Sequence, residues 1–223
     1  MSITRRNLLI GAGAVAILAA GGAYIAWNSG SGVTKAGPAG TRFSSADLLQ
    51  PGPLPDMVLG SDKAPVTIVE YASLTCSHCR QFELTTYPEL KKRYIDTGKV
   101  RFIFREFPLN EVDMLAVVLA RCANKDAYFP FVETLFEKQD QWAVQNPVPP
   151  LLALSKQAGF TEESFRQCAS NQQLIQNVNA ARERAAAKFG VDSTPTFFIN
   201  GEKRSGALSI EEMEKLIQPY LKG

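Results

Sequence analysis

The spacing of apolar residues predicts strands near both ends of the folded chain and helices between them. A run of mostly β-branched and aromatic residues, 66–72, is typical of a central strand. The other predicted elements are strands at 57–60, 99–107, 194–200 and 203–205, and helices at 81–94, 112–122, 129–139, 150–157, 161–168, 171–189 and 209–220. The predicted order is therefore β, β, α, β, about 85 helical residues, β, β, α.

The N-terminal part of the chain has a different pattern. Arg5 and Arg6 precede an uncharged apolar run over 8–27, which is the pattern of an export signal. The run is about 20 residues long, which also suffices to span a bilayer. We therefore expect residues 1–27 to be an export signal or a membrane anchor, either cleaved or retained.

The export route stays open between two pathways. Residues 4–9 resemble the bacterial twin-arginine motif, but Leu8 stands where that motif usually has Phe. The twin-arginine and general secretory routes are both compatible with this segment. Residues 28–55 are rich in Gly, Ser, Pro and Ala, which predicts a linker, and residues 56–223 are the predicted folded domain.

Composition and charge exclude some functions. Of the 223 residues, 45% are hydrophobic and 21% are charged, as in an ordinary globular protein. The net charge of +2 gives no electrostatic reason to expect nucleic-acid binding. The four cysteines can form two disulfides, which persist outside the cytoplasm.

The candidate chemistry lies directly after the predicted central strand. Cys76 and Cys79 have the Cys-x-x-Cys spacing, and His78, the only histidine, lies between them. A strand, a Cys-x-x-Cys and a helix in this order are typical of a thioredoxin-type redox site. Cys76 is expected at the helix N-terminus, where free N–H groups stabilise a thiolate, and His78 adds a nearby donor.

Two further features belong to the predicted site. Strand alternation places Glu70 on one face with Val66, Ile68 and Ala72, so a carboxyl is expected among apolar neighbours, although an exposed strand acid is the alternative. In a thioredoxin-like arrangement the loop before the 194–200 strand lies against the Cys-x-x-Cys. A cis Thr194–Pro195 bond there would present backbone groups to an incoming peptide.

These residues together resemble the DsbA family of bacterial periplasmic thiol:disulfide interchange proteins, including its α-proteobacterial group. The resemblance covers residues 57–223. It rests on Val-Glu-Tyr-Ala-Ser-Leu-Thr-Cys-Ser-His-Cys-Arg-Gln-Phe-Glu, Thr-Gly-Lys-Val-Arg-Phe, Arg-Glu-Phe-Pro-Leu and Thr-Pro-Thr-Phe-Phe-Ile-Asn-Gly. It implies an α/β thioredoxin fold with an inserted helical domain at about residues 109–190.

The resemblance also implies roles for individual residues. Cys76 would be the nucleophile, Cys79 the resolving thiol, His78 a residue that tunes the pKa, and Glu70 a buried acid that assists proton movement. Thr194 and a cis Pro195 would bind the substrate peptide.

One position departs from the family pattern. Ser77 stands where the family most often has Pro, and the dipeptide between the cysteines tunes the redox potential. The oxidising strength therefore stays open at the level of sequence.

Cys122 and Cys168 are expected on the inward faces of two helices of the insert. Some family members carry a second, structural disulfide there, and we expect the same bond here. The alternatives are a disulfide that tunes the active site, two free thiols, and a zinc site made from all four cysteines, whose spacing is unlike that of usual zinc sites.

The sequence thus predicts a periplasmic thiol-disulfide oxidoreductase, soluble or anchored to the inner membrane, that transfers a disulfide from Cys76–Cys79 to reduced exported proteins. A quinone-linked membrane oxidase is the candidate partner for re-oxidation. We expect a monomer without cofactor or metal that contacts the membrane only through its N-terminal segment. A disulfide reductase or isomerase of the same fold, and a non-catalytic chaperone or maturation factor, are the alternatives.

Overall fold

The computed structural model describes residues 41–221, so the predicted signal or anchor over 1–27 lies outside the described residues. The strands are β1 (Met57–Leu59), β2 (Val66–Ala72), β3 (Val100–Glu106), β4 (Thr196–Ile199) and β5 (Glu202–Ser205). The helices are α1 (Ser45–Leu48), α2 (Ser77–Thr85), α3 (Tyr87–Leu90), α4 (Glu111–Cys122), α5 (Tyr128–Glu137), α6 (Gln139–Trp142), α7 (Val148–Gln157), α8 (Glu162–Ala169), α9 (Gln172–Phe189) and α10 (Ile210–Leu221). Within residues 41–221, no helix is both long and apolar enough to cross a membrane.

The five strands form one sheet in the order β1-β3-β2-β4-β5. β2 is parallel to β3 and antiparallel to β4, while β1 and β5 pair antiparallel at the two edges. The hairpin between β4 and β5 turns at Asn200 and Gly201, both with positive φ, as the Asn-Gly signal predicts. The central strand β2 ends directly before the Cys-x-x-Cys.

Both faces of the sheet are buried, each by its own apolar cluster. The alternate residues Val66, Ile68 and Ala72 lie in the cluster that also holds Cys79. Val69 and Tyr71 of β2 lie in the second cluster, which also holds Ala185 and Phe189 of α9. Because β2 is covered on both faces, a polar side chain on it is removed from solvent.

The long helical region forms an insert between β3 and β4, as predicted. It comprises α4 to α9, and Cys122 at the end of α4 is joined to Cys168 in α8 by a disulfide with an S–S distance of 2.03 Å. Cys168 is buried, but Cys122 is exposed, so its predicted inward position is wrong. The last residue of a helix can turn towards the surface while the preceding turns stay in the core. The disulfide also means that two of the four cysteines have no free thiol with which to form the alternative zinc site.

The helix after the Cys-x-x-Cys is interrupted where proline predicts a kink. α2 ends at Thr85, and Pro88 lies in the first turn of α3, where its missing N–H is not needed. A π-helical turn, Lys91–Ile95, completes this region. In the insert, the helix predicted over 129–139 ends earlier, and Gln139 begins the separate short helix α6.

Residues 41–55, which composition assigns to a linker, pack on the domain. Leu48 is only 2% exposed, and the Phe43 ring meets the Phe198 ring edge-on at 5.4 Å between centroids. The Arg105 side chain donates to the Leu48 carbonyl at 3.0 Å. The part of the chain that packs on the domain therefore begins before the expected boundary at residue 56. Two apolar side chains anchor this segment, although its composition is otherwise that of a linker.

A buried ion pair joins the insert to the sheet. Arg121 of α4 donates to Glu106 at the end of β3, with Nε to Oε1 at 2.6 Å, and both side chains are almost fully buried. The Tyr128 hydroxyl donates to the same carboxylate. The carboxylate is therefore paired and hydrogen-bonded, as a buried charge requires.

Candidate functional site

The two site cysteines lie where the central strand meets the next helix. Cys76 is the N-cap of α2, and its carbonyl accepts the Arg80 N–H at 3.0 Å, the first backbone bond of the helix. Cys76 is partly exposed, whereas Cys79, one turn further on, is buried. Both thiols are free, so the structure represents the reduced site.

The predicted peptide-binding loop lies against Cys76. The Thr194–Pro195 bond is cis, as expected. The Cys76 thiol donates to the Thr194 carbonyl with Sγ and O 3.3 Å apart. Residues 118 positions apart in the sequence therefore meet at the reactive sulfur.

The surroundings of Cys76 stabilise its thiolate. The hydrogen bond from the Cys79 thiol contributes most to lowering the pKa of Cys76 from 9.0 to about 5, against the opposing effect of burial. The backbone N–H groups of Cys79 and His78 lower the pKa further. With a pKa of about 5, Cys76 is mainly a thiolate at pH 7.

The pKa values of Cys79 and Glu70 are raised, in contrast to that of Cys76. Burial raises the pKa of Cys79 far above its usual range, and the Cys76 thiol and the Glu70 charge add to this effect. Glu70 is 1% exposed, and its Oε2 has no hydrogen-bond partner. Burial raises the pKa of Glu70 well above 4.5, with smaller contributions from the charges of Glu83 and Cys76. Glu70 is thus the buried carboxyl that strand alternation predicts, and not an exposed strand acid.

The two residues between the cysteines lie at the surface. Ser77 and His78 are both exposed. The backbone N–H of His78 helps to lower the pKa of Cys76, while a role of the His78 side chain stays a prediction. The backbone N–H contributes because the first turn of α2 directs its free N–H groups towards the N-cap sulfur.

Glu83 is a site residue that the sequence analysis misses. It is 7% exposed and lies in α2, four residues after Cys79 and therefore on the same helix face. Burial raises the pKa of Glu83 to about 8, with a smaller contribution from the Glu133 charge. Helical spacing from Cys79 is the signal that could have identified this second buried carboxyl.

The arrangement as a whole suits thiol–disulfide exchange. A stabilised Cys76 thiolate is a good leaving group, and an accessible sulfur at this position can be attacked by another thiolate. Burial raises the pKa of both Cys79 and Glu70 and so favours the protonated form of each. The site thus pairs one sulfur that leaves readily with one that remains inside.

Known proteins are similar to this chain in sequence and in fold. A family model described as Thioredoxin matches residues 54–219. A Rickettsia prowazekii protein named as a protein-disulfide oxidoreductase is 35% identical over 168 residues, which are 74% of this chain and 61% of the relative. The chain thus spans less than two thirds of that relative's length. Disulfide bond formation protein D of Bacillus subtilis is 28% identical over 172 residues, covering 74% of this chain and 77% of the relative.

Solved structures agree with the sequence relatives. The crystal structure of Wolbachia pipientis alpha-DsbA1 matches with a TM-score of 0.74 and 32% identity, covering 80% of this chain and 96% of that chain. Oxidised BdbD from Bacillus subtilis matches with a TM-score of 0.68 and 27% identity, covering 75% and 94%. The chain therefore belongs to the thioredoxin family, and within it to the DsbA-type disulfide oxidoreductases.

Proposed function

We propose that this chain oxidises pairs of cysteines in exported proteins. In the oxidised enzyme a substrate thiolate attacks the Cys76 sulfur, the Cys76–Cys79 bond breaks, and Cys79 leaves with the electron pair. A second substrate thiolate then attacks the mixed disulfide, and Cys76 leaves as a thiolate. The substrate loses two electrons and the enzyme gains them, so the products are a substrate disulfide and the reduced enzyme.

The position of Cys76 as the N-cap of α2, which lowers the pKa of its thiol, is the observation that carries the proposed direction. A reduced form stabilised as the thiolate makes the corresponding disulfide a stronger oxidant, and it makes Cys76 the better leaving group of the mixed disulfide. Cys79 leaves less readily and takes up a proton, which the buried Glu70 carboxyl supplies. Cys76 thus leaves as a thiolate from the mixed disulfide, and Cys79 is protonated when the enzyme disulfide opens, as the surroundings of each sulfur favour.

Partners and location are part of the same proposal. The substrates are reduced, unfolded segments, which extend along the cis Thr194–Pro195 loop beside Cys76. The enzyme works in the periplasm after export through its N-terminal segment, where a membrane oxidase linked to quinone restores the Cys76–Cys79 disulfide. The basic and apolar pattern of residues 5–27 supports this location.

Oxidation of reduced, unfolded ribonuclease A tests the proposal. The oxidised chain is expected to convert substrate thiols to disulfides in a stoichiometric burst, and Cys76→Ala abolishes the burst. Scrambled ribonuclease is the second substrate. Faster recovery of activity from scrambled than from reduced ribonuclease would favour the isomerase alternative, and a Cys76→Ala protein that still prevents aggregation without exchange would favour a chaperone.

A further inference from the structure

The loop that precedes the active-site helix is held by side chains of the helical insert. Gln139, the first residue of α6, donates from Nε2 to the Leu74 carbonyl at 2.8 Å and to the Cys76 carbonyl at 3.1 Å. Asp113 of α4 accepts the Leu74 N–H at its Oδ1, 2.9 Å away. Both polar backbone groups of Leu74 are therefore bonded to the insert, and neither to a strand or helix of the thioredoxin domain.

Both side chains are removed from solvent, so water has little access to the hydrogen bonds that they make. Gln139 is 7% exposed and Asp113 is fully buried. The second carboxylate oxygen of Asp113 accepts the Leu109 N–H at 2.9 Å, which links the loop before α2 to the loop before α4. A buried polar group that loses its hydrogen-bond partner destabilises the fold, so these hydrogen bonds resist rearrangement.

The contact acts on the reactive residue itself. The Cys76 carbonyl that accepts from Gln139 also accepts the Arg80 N–H that begins α2. From the opposite direction, the Arg80 side chain donates to the Phe136 carbonyl at 2.9 Å, close to the end of α5. The segment around Gln139 and the first turn of α2 thus hold each other in place.

We propose that Gln139 and Asp113 are positioning residues, through which the helical insert keeps the Cys76 sulfur between the first turn of α2 and the Thr194 carbonyl. This inference rests on the proposed exchange chemistry at Cys76, and it gives the insert a part in that chemistry. Without Gln139, the Cys76 carbonyl keeps only its helical partner. The loop can then shift, and the sulfur moves away from the N–H groups that stabilise its thiolate.

The test measures Cys76 ionisation in variants of the full chain. Gln139→Met keeps the length of the side chain and removes both donors. We expect the pKa of Cys76 to rise by at least half a unit, which corresponds to a shift of about threefold in the glutathione equilibrium towards the oxidised protein. Gln139→Glu places carboxylate oxygens against two carbonyls, so its effect is expected to be larger at pH 8 than at pH 5.

Trp142→Phe is the matched control. Trp142 lies in the same short helix and is buried, and its indole N–H donates to the Leu135 carbonyl at 2.6 Å. The control variant is expected to lose stability while the pKa of Cys76 and the glutathione equilibrium stay unchanged. Asp113→Asn, which keeps one acceptor oxygen, provides an independent variant with the same expected direction as Gln139→Met.

Two results would overturn the positioning role. One is a folded Gln139→Met or Gln139→Glu protein whose thiolate titration and glutathione equilibrium match those of the unmodified chain. The other is an equal shift in Trp142→Phe, which would indicate general loosening of the insert. Either result leaves the oxidase proposal intact, because that proposal is tested on the unmodified chain, by its oxidation of reduced ribonuclease.

Discussion

Replacing Glu70 with glutamine preserves the side chain's shape and removes its titrating proton. Glu70 lies on the central strand with an unpaired buried oxygen, and burial raises the pKa of its carboxyl well above 4.5. An acid whose pKa is raised on folding stabilises the folded state fully below the unfolded pKa. This contribution is lost as the pH rises towards the folded pKa.

The size of the effect follows from proton linkage. As long as Glu70 stays protonated in the folded chain and ionised in the unfolded chain, each pH unit lowers stability by about 1.4 kcal/mol. Between pH 4.5 and 6.5 the loss is at most about 2.3 kcal/mol, because the unfolded carboxyl is only half ionised at pH 4.5. Glu70→Gln has no such titrating proton. The difference in free energy of unfolding, variant minus unmodified chain, is therefore expected to rise with pH by the same slope.

Urea unfolding of the reduced proteins at pH 4.5, 5.5 and 6.5 measures this difference. Glu183→Gln is the control, because Glu183 is an exposed carboxylate of α9, and we expect it to leave the pH dependence unchanged. A Glu70→Gln difference that stays constant over this range would mean that Glu70 ionises normally in the folded chain. Glu70 could not then be the proton source for Cys79.

Three other changes test the fold around the site, each by urea unfolding. Replacing Cys122 and Cys168 together with alanine opens a crosslink of sequence separation 46 and is expected to cost about 4 kcal/mol, whereas a loss below about 1 kcal/mol would contradict the bond. Arg121→Met leaves Glu106 buried and unpaired and should cost about 3–5 kcal/mol, most of which Arg121→Met/Glu106→Leu recovers. Gly201 has a positive φ, and the backbone of residues 41–55 approaches it closely. Gly201→Ala should therefore lower the free energy of unfolding by more than about 1 kcal/mol, and an unchanged stability would refute that packing.

Much of the fold can be predicted from local sequence signals. The β-branched run over 66–72, the Asn200–Gly201 turn and the helix start at Thr161 each determine an element through residues close in sequence. Strand alternation also correctly places Glu70 in the core. These predictions succeed because burial on both faces of β2 and turn geometry depend on short-range pattern.

The remaining features depend on contacts between distant residues. No local pattern indicates that Gln139 bonds to the Cys76 carbonyl 63 positions away, or that Asp113 binds Leu74. The exposed His78 ring likewise follows from how α2 sits in the fold. The sequence therefore identifies the reacting sulfurs. The side chains that position these sulfurs and shift their pKa values can be identified only from the tertiary structure.

The most direct test of the central claim is a titration of the Cys76 thiolate by its ultraviolet absorbance, combined with the glutathione equilibrium of the Cys76–Cys79 pair. We expect Cys76 to ionise near pH 5 and the pair to have a reduction potential well above that of thioredoxin, which is about −270 mV. Ionisation near pH 8.5 with a potential at or below about −270 mV would contradict the central claim.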